Sequence, residues 1–295
     1  MYELIQVANN SYYVNCPAKI GIYRNEDNSV YLIDSGNDKE AGRKVRQILD
    51  KNGWTLKAIL NTHSNADHIG GNKYLQAQTG CKIFAPGIEA AFTKFPILEP
   101  SFLYGGYPCK DLRHKFLLAQ ESPAEDISSP DFPKEVDIIP LPGHFFHMVG
   151  YRMPDGVTFM ADCISSPETL EKYQIGYIYD VARYLETLDM IETLEAPAFV
   201  PAHADVVSDM HELADVNRRK VLEIIDKILE ICAKPIAFEG ILKRVFDDYG
   251  LEMTFQQYAL IGSTVRGYLS YLKDMGRLNV TIEDNVLLWL RSDLA

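Results

Sequence analysis

The chain has 295 residues, 47% of them hydrophobic and 24% charged, and carries a net charge of −12. That length gives room for a sizeable core in one large domain or two ordinary ones. The acidic balance argues against wholesale electrostatic binding of DNA or RNA, leaving only a local basic groove open, and no apolar run approaches the ~20 residues of a membrane span.

The first residues, "MYELIQVANNSYYVN", hold no basic segment followed by an apolar one, so no signal peptide is expected and a cytoplasmic location follows by default. "YYVNCPAKIGIYRNEDNSVYLIDSG" reads as strands broken by a turn at Asn25 to Asn28, with "VYLID" as a buried strand. "KEAGRKVRQILDKNG" follows as an amphipathic helix that Gly53 helps to end. "LKAILNTH" is the next strand, with His63 at its exit. "NKYLQAQTG" is a short helix and "CKIFAPG" another strand, and the alternation is an α/β signature. Five cysteines (Cys16, Cys81, Cys109, Cys163, Cys232) form no CxxC pair and read as reduced thiols.

Residues 87–134 are rich in Pro, Gly and aromatics without a sustained period. They read as a helical insertion or lid beside a site, or as a surface excursion packed on the core. Strands return in "VDIIPLPGH", "VGYRMPDGVTFMAD" and "APAFVPAHAD", with the helix "DVARYLETLDMIETLEA" before the last. A polar residue at a strand end recurs at Asp34, His63, His144, Asp162 and His203, and such residues can converge on one sheet edge. From about residue 211 come three helices, the third with Thr254 as N-cap, and then "NVTIEDNVLLWLR", a hairpin turning at Glu283 to Asn285. Helices followed by a terminal hairpin suggest a small winged-helix-like domain.

The stretch "NTHSNADHIGGN" packs His63, Asn65, Asp67 and His68 into six positions. Imidazole nitrogens and carboxylate oxygens held at fixed geometry are what a first-row metal ion requires. A lone histidine is more often structural, but four of the seven histidines here stand at strand exits or in that turn. With "LPGH", "FMAD" and "VPAH" following in order, the chain resembles a metallo-beta-lactamase-fold hydrolase over about residues 10–205. The family's HxHxDH motif is here "HSNADH", followed by His144, Asp162 and His203, with Asp34 of "LIDSG" matching an earlier supporting acid.

The resemblance implies an αβ/βα four-layer sandwich over residues 1–210, with the insertion at about 87–134, plus a small α+β winged-helix-like domain over 211–295. It implies a first metal site of His63, residue 65 and His144, a second of Asp67, His68 and His203, and Asp162 bridging. One or two divalent ions are expected, zinc first, with Mn or Fe as alternatives. A hydroxide on the metal would attack, with Asp67 orienting the water.

Asn65 departs from the motif, because a neutral amide oxygen is a poorer zinc ligand than imidazole and suits harder ions better. The first site is then empty, or weakly filled with Asn65 as ligand or bonded to a ligand water, or completed by His147 of "PGHFFHM". His147 reads equally as a supporting or substrate-facing residue, and Phe145 and Phe146 as core or pocket wall. Tyr104, Tyr107, Arg113, His114 and Lys115 are candidates for the pocket mouth, against the plainer reading of "LRHKF" as a solvated helix face.

The expected activity is hydrolysis of a small-molecule thioester, ester or lactone. The alternatives are a nuclease or phosphodiesterase, prompted by the winged-helix-like tail, and a non-catalytic binding module, prompted by Asn65. The tail's third helix carries only Arg266, Lys273 and Arg277 as cations, so nucleic acid is not the expected partner. A small-molecule substrate and no membrane are expected, with a homodimer left open.

Overall fold

The computed structural model describes residues 2–292; Met1 and residues 293–295, at the outer ends of the two expected units, lie outside the described residues. The chain opens with four antiparallel strands, β1 (Glu3–Gln6), β2 (Ser11–Asn15), β3 (Ile20–Arg24) and β4 (Ser29–Ile33). Helix α1 (Lys39–Asn52) crosses over to the parallel strand β5 (Thr55–Leu60). Asp38 caps α1 by accepting from Ala41 N, and Gly53 ends it in the left-handed region, where a side chain would be strained. Two short helices, α2 (Ala66–Ile69) and α3 (Asn72–Thr79), lead to β6 (Lys82–Ala85), again parallel.

Residues 87–134 form α4 (Ile88–Lys94), α5 (Leu98–Tyr104), one 3₁₀ turn (Lys110–Leu112) and the edge strand β7 (Glu125–Asp126). Arg113 leaves the helical region at φ −101° and ψ 57°, so "LRHKF" is an irregular segment and not a helix face. A second sheet follows, from β8 (Asp137–Pro140), β9 (Val149–Arg152), β10 (Thr158–Ser165) and, after α6 (Pro167–Tyr173) and α7 (Val181–Ile191), β11 (Phe199–His203). The C-terminal part holds α8 (His211–Ile231), β12 (Ile236–Ala237), α9 (Phe238–Asp248), α10 (Phe255–Asp274) and the hairpin β13 (Leu278–Glu283) to β14 (Val286–Arg291). Asp284 and Asn285 turn that hairpin with φ of 49° and 63°, the conformation a two-residue loop requires. Ile236 and Ala237 pair with β14, and Ala237 is extended as it leads into α9.

The strands order as β1-β2-β3-β4-β5-β6-β7 in one sheet, β11-β10-β9-β8 in the next and β12-β14-β13 in a small third. Period-two alternation explains how the two large sheets stack. Tyr31, Ile33, Leu60 and Phe84 face inward, against Tyr151, Phe159 and Val200 of the second sheet. Leu32, Ile59 and Ile83 point the other way, onto Val45 and Leu49 of α1 and Leu75 of α3. The outer face of the second sheet packs on α7, α8 and α10 through residues such as Leu188, Ile228 and Leu269. Helix, sheet, sheet, helix is the four-layer sandwich expected, and strands covered on both faces explain the unbroken apolar runs. Among the described residues no helix is long and apolar enough to cross a membrane.

Gly70 and Gly71 press the loop after β5 onto the loop after β4. A Cβ on Gly70 would lie 2.3 Å from the Asn37 carbonyl carbon, and one on Gly71 2.3 Å from the Ser35 oxygen. Both contacts are backbone, which cannot turn aside. Gly70→Ala should therefore cost at least ~1–3 kcal/mol, as overpacking does. Urea unfolding measures it, and an unchanged midpoint would contradict this packing.

Candidate metal centre

Parallel pairing places the ends of neighbouring strands side by side. Asp34 and His63 follow the paired β4 and β5, and Asp162 and His203 belong to the paired β10 and β11. His144 lies in the loop between β8 and β9. Two backbone distortions aim the carboxylates. Asp34 has φ 63°, and Ala161, just before Asp162, has φ 51° where the β10–β11 register shifts. Such conformations at non-glycine residues cost ~1–3 kcal/mol each and persist only where the surroundings impose them.

The imidazoles are oriented from behind. His68 Nδ1 donates to Asp34 Oδ2 at 2.8 Å, and His144 Nδ1 to the Tyr177 carbonyl at 3.0 Å. Thr62 Oγ1 donates to Asp34 Oδ2 at 2.7 Å, so it accepts from His63 Nδ1, 3.0 Å away. All three rings then turn an Nε2 lone pair inward. His68 Nε2 and His203 Nε2 each stand 3.1 Å from Asp162, and both are 3.7 Å from Asp67 Oδ2. His144 Nε2 is 3.7 Å from Asp162 Oδ2.

These spacings match ligands around one ion. Donors ~2.0–2.1 Å from a tetrahedral zinc stand ~3.3 Å from each other. His63 Nε2, His68 Nε2 and Asp162 Oδ1 are buried without a hydrogen-bond partner, although His68 Nε2 and Asp162 Oδ1 are close. Distance without hydrogen-bond geometry is what a shared cation produces. The donor atoms group as Asp67, His68, Asp162 and His203, and as His63, His144 and Asp162, with Asp162 in both. These groups fit one or two divalent ions.

The local field is strongly uneven. Burial and the neighbouring histidines push the His63 pKa well below the usual imidazole value. Burial acts the same way at His68, but Asp162, Asp67 and Asp34 outweigh it and raise that pKa. Burial would raise the Asp162 carboxyl, yet His203 and His68 hold it well below the usual range.

Asn65 lies at the group of His63, His144 and Asp162, its Oδ1 3.2 Å from His144 Nε2. His147 stands outside them: it is exposed, and its Nδ1 accepts from Ile88 N at 3.4 Å. Phe145 is fully buried against Phe92 and Tyr177, in the core and not on a pocket wall. Tyr104 lines a separate cavity with Tyr179 and Arg266. Arg113 stacks on the exposed Tyr107 ring, 5.5 Å from its centre, and neither lines the cavity at the metal cluster.

Two residues escaped the sequence reading. Glu89 of α4 accepts from Ser64 Oγ at 2.5 Å and from His147 N at 2.8 Å. Glu99 of α5 accepts from Asn65 Nδ2 at 2.8 Å. Both are buried carboxyls, Glu89 with Phe92 in α4 and Glu99 with Leu103 in α5, and helices of seven residues are too short for a period to have marked them.

A cavity of about 710 Å³ opens onto Asp67, His144, Asp162 and His203. Leu170 and Tyr173 of α6 line it on one side, and Phe246, Leu251, Leu260 and Ile261 of the C-terminal part on another.

The sequence profile of the metallo-beta-lactamase superfamily matches residues 10–203. A hydroxyacylglutathione hydrolase of Maricaulis maris is 28% identical over 208 residues, covering 67% of this chain and 67% of that protein. The one of Brucella anthropi is 27% identical over 180 residues, 61% of this chain and 56% of the other. The one of Methylococcus capsulatus is 40% identical over 81 residues, only 22% of this chain and 32% of its own length. Among solved structures, a beta-lactamase domain protein from Burkholderia ambifaria superposes with a TM-score of 0.73 at 18% identity, over 98% of this chain and 94% of that one. A metallo-beta-lactamase family protein from Thermus thermophilus gives 0.67 at 17%, over 99% and 98%. At those identities the likeness is one of fold.

Burial pushes the Glu89 carboxyl up to about 7 from 4.5. The folded chain thus holds this proton more tightly than the unfolded one. The resulting stability is complete below about pH 4.5 and is lost as pH rises through about 7. Glu89→Gln should therefore gain on the wild type in urea unfolding between pH 5 and pH 8. An equal difference at both values would contradict a buried, proton-holding Glu89.

Proposed function

We infer the activity from membership: the chain belongs to the metallo-beta-lactamase superfamily, whose profile covers residues 10–203. It is a metal-dependent hydrolase working with one or two divalent ions, and zinc suits an imidazole-rich donor set. We propose that its substrate is a small-molecule thioester. The observation that carries this is the His/Asp cluster opening directly into the half-apolar cavity. The relatives named hydroxyacylglutathione hydrolase favour a thioester over an ester or lactone.

In this reading His63, Asn65, His144 and Asp162 would hold a first ion, and Asp67, His68, His203 and Asp162 a second. When bound, a divalent ion lowers the pKa of water to ~7 and polarises a carbonyl oxygen. Asp67 would orient the attacking water and accept its proton. Its side chain is 42% exposed and faces the cavity, whereas that of Asp162 is 9% exposed. Asp34 and Thr62 fix the rings from behind. The cavity excludes water from the acyl arm through Leu170, Tyr173, Leu260 and Ile261.

The charges around the cavity narrow the thiol. Among the described residues Lys172 is the one lysine or arginine lining it, against Glu168 and Glu252, the site carboxylates being those that would hold the metal. A glutathione moiety, with two carboxylates against one ammonium, would meet like charge at Glu168 and Glu252, and so would a nucleic acid. We therefore propose an apolar acyl group on a thiol of low negative charge. The described residues from 211 onward serve in this account as a unit covering the pocket, and a cytoplasmic setting suits the unpaired cysteines.

Release of thiol from an acyl thioester, with and without EDTA, tests the activity; no turnover of any thioester by zinc-loaded protein would contradict it. A neutral short-thiol thioester should show a higher kcat/KM than the same acyl group on glutathione, and the reverse order would contradict the charge argument. Asp162→Ala and His203→Ala should each lose metal and hydrolysis together, and full metal content in both would sink the ligand assignment. Asp34→Asn should weaken metal binding ~10–100-fold, as loss of a supporting carboxylate does. Elemental analysis after dialysis against graded chelator reads it.

A further inference from the structure

The asparagine in the metal motif has a dedicated partner. Asn65 Nδ2 donates to Glu99 Oε1 at 2.8 Å, while Asn65 Oδ1 points at His144 Nε2, 3.2 Å away. Glu99 is 5% exposed and comes from α5, in the segment that interrupts the sheet sequence.

The hydrogen-bond chemistry at His144 is restrictive. Its Nδ1 faces the Tyr177 carbonyl at 3.0 Å, and a carbonyl only accepts. Nδ1 therefore carries the proton, and the Nε2 of a neutral ring is a lone pair. It faces the Asn65 oxygen, which is also a lone-pair donor atom. Two such atoms 3.2 Å apart repel unless a cation lies between them, and the separation matches donors on one ion. With Glu99 ionised, turning the amide over would place its NH₂ on His144 and its oxygen against the carboxylate, two acceptors in contact. The carboxylate thereby selects which end of the amide enters the site.

We propose that Glu99 is a positioning residue that holds the Asn65 amide with its oxygen toward the metal, so that Asn65 serves as the third donor of the His63–His144 site. Glu89 supports the same loop, tying Ser64 to the backbone of His147. Helices α4 and α5 thus belong to the metal site from behind: they set two consecutive motif residues, one glutamate to each. The inference rests on the two-ion reading of the cluster, and the experiment separates the two.

Stepwise zinc affinity is measured by chelator competition, with cobalt absorption to report coordination at each site. Wild type should bind two ions. Glu99→Leu, which removes the acceptor, should weaken the more labile ion ~10–100-fold and leave the tighter one unchanged. Glu99→Gln, whose amide oxygen still accepts from Asn65, should stay within about threefold of wild type, which guards against a misfolded leucine variant. Adding Asn65→His to Glu99→Leu should restore the weakened ion, since an imidazole needs no amide partner. Unchanged affinity for both ions in a folded Glu99→Leu would overturn the role of Glu99 while leaving the two-ion reading intact. A single ion in wild type would overturn both.

Discussion

Imidazoles and carboxylates share a volume at the edge of the two large sheets, and their donor atoms face one another instead of hydrogen-bond partners. An arrangement with His63 Nε2, His68 Nε2 and Asp162 Oδ1 buried and unpaired is costly for the protein alone, because each such atom loses its water without a replacement. A divalent cation offsets that cost. Much of the surrounding structure enforces the convergence. The left-handed backbone at Asp34 and Ala161, the Asp34–His68 and Thr62–His63 contacts, and the backbone pressed against Gly70 and Gly71 all hold the donors in place.

The C-terminal part is built onto this edge. Asn217 of α8 accepts from Ser165 N at 3.0 Å and donates to Ser165 O at 2.9 Å, so it replaces a missing strand partner where β10 leaves Asp162. The buried cluster that runs from Met160 and Cys163 to Val265 and Leu269 makes β10, α7, α8 and α10 one continuous core. The apolar wall supplied by Phe246, Leu251, Leu260 and Ile261 gives the same segment a part in choosing what reaches the metal.

Where local pattern and ligand chemistry coincide, the sequence was legible. Asp38 and Gly53 bracket α1, Thr254 caps α10, and the turn at Asp284 and Asn285 falls within the expected hairpin. His63 follows β5, Asp162 and His203 lie on β10 and β11, Asp67 and His68 sit on the short α2 and His144 in the loop after β8, and the HSNADH spacing with the strand-end histidine and aspartate already pointed to their convergence. The insertion was illegible for the opposite reason. Its helices are seven residues long, too short to show a period, and their orientation is set by long-range contacts to Ser64, Asn65 and His147. Tyr104, Tyr107 and Arg113 suggested a pocket by composition alone, whereas their placement depends on the 3₁₀ turn and on Phe255, 5.9 Å from Tyr104 and distant in sequence. Asn65 looked like damage to a motif because its partner, Glu99, lies 34 residues away.

The central claim is that both donor groups are working metal sites, joined by Asp162. Elemental analysis of untagged protein, purified without chelator and equilibrated with zinc, tests it most directly. The account predicts two zinc ions per chain. One ion per chain at saturating zinc would contradict the site that contains Asn65, and none would contradict the reading of the cluster as a metal centre.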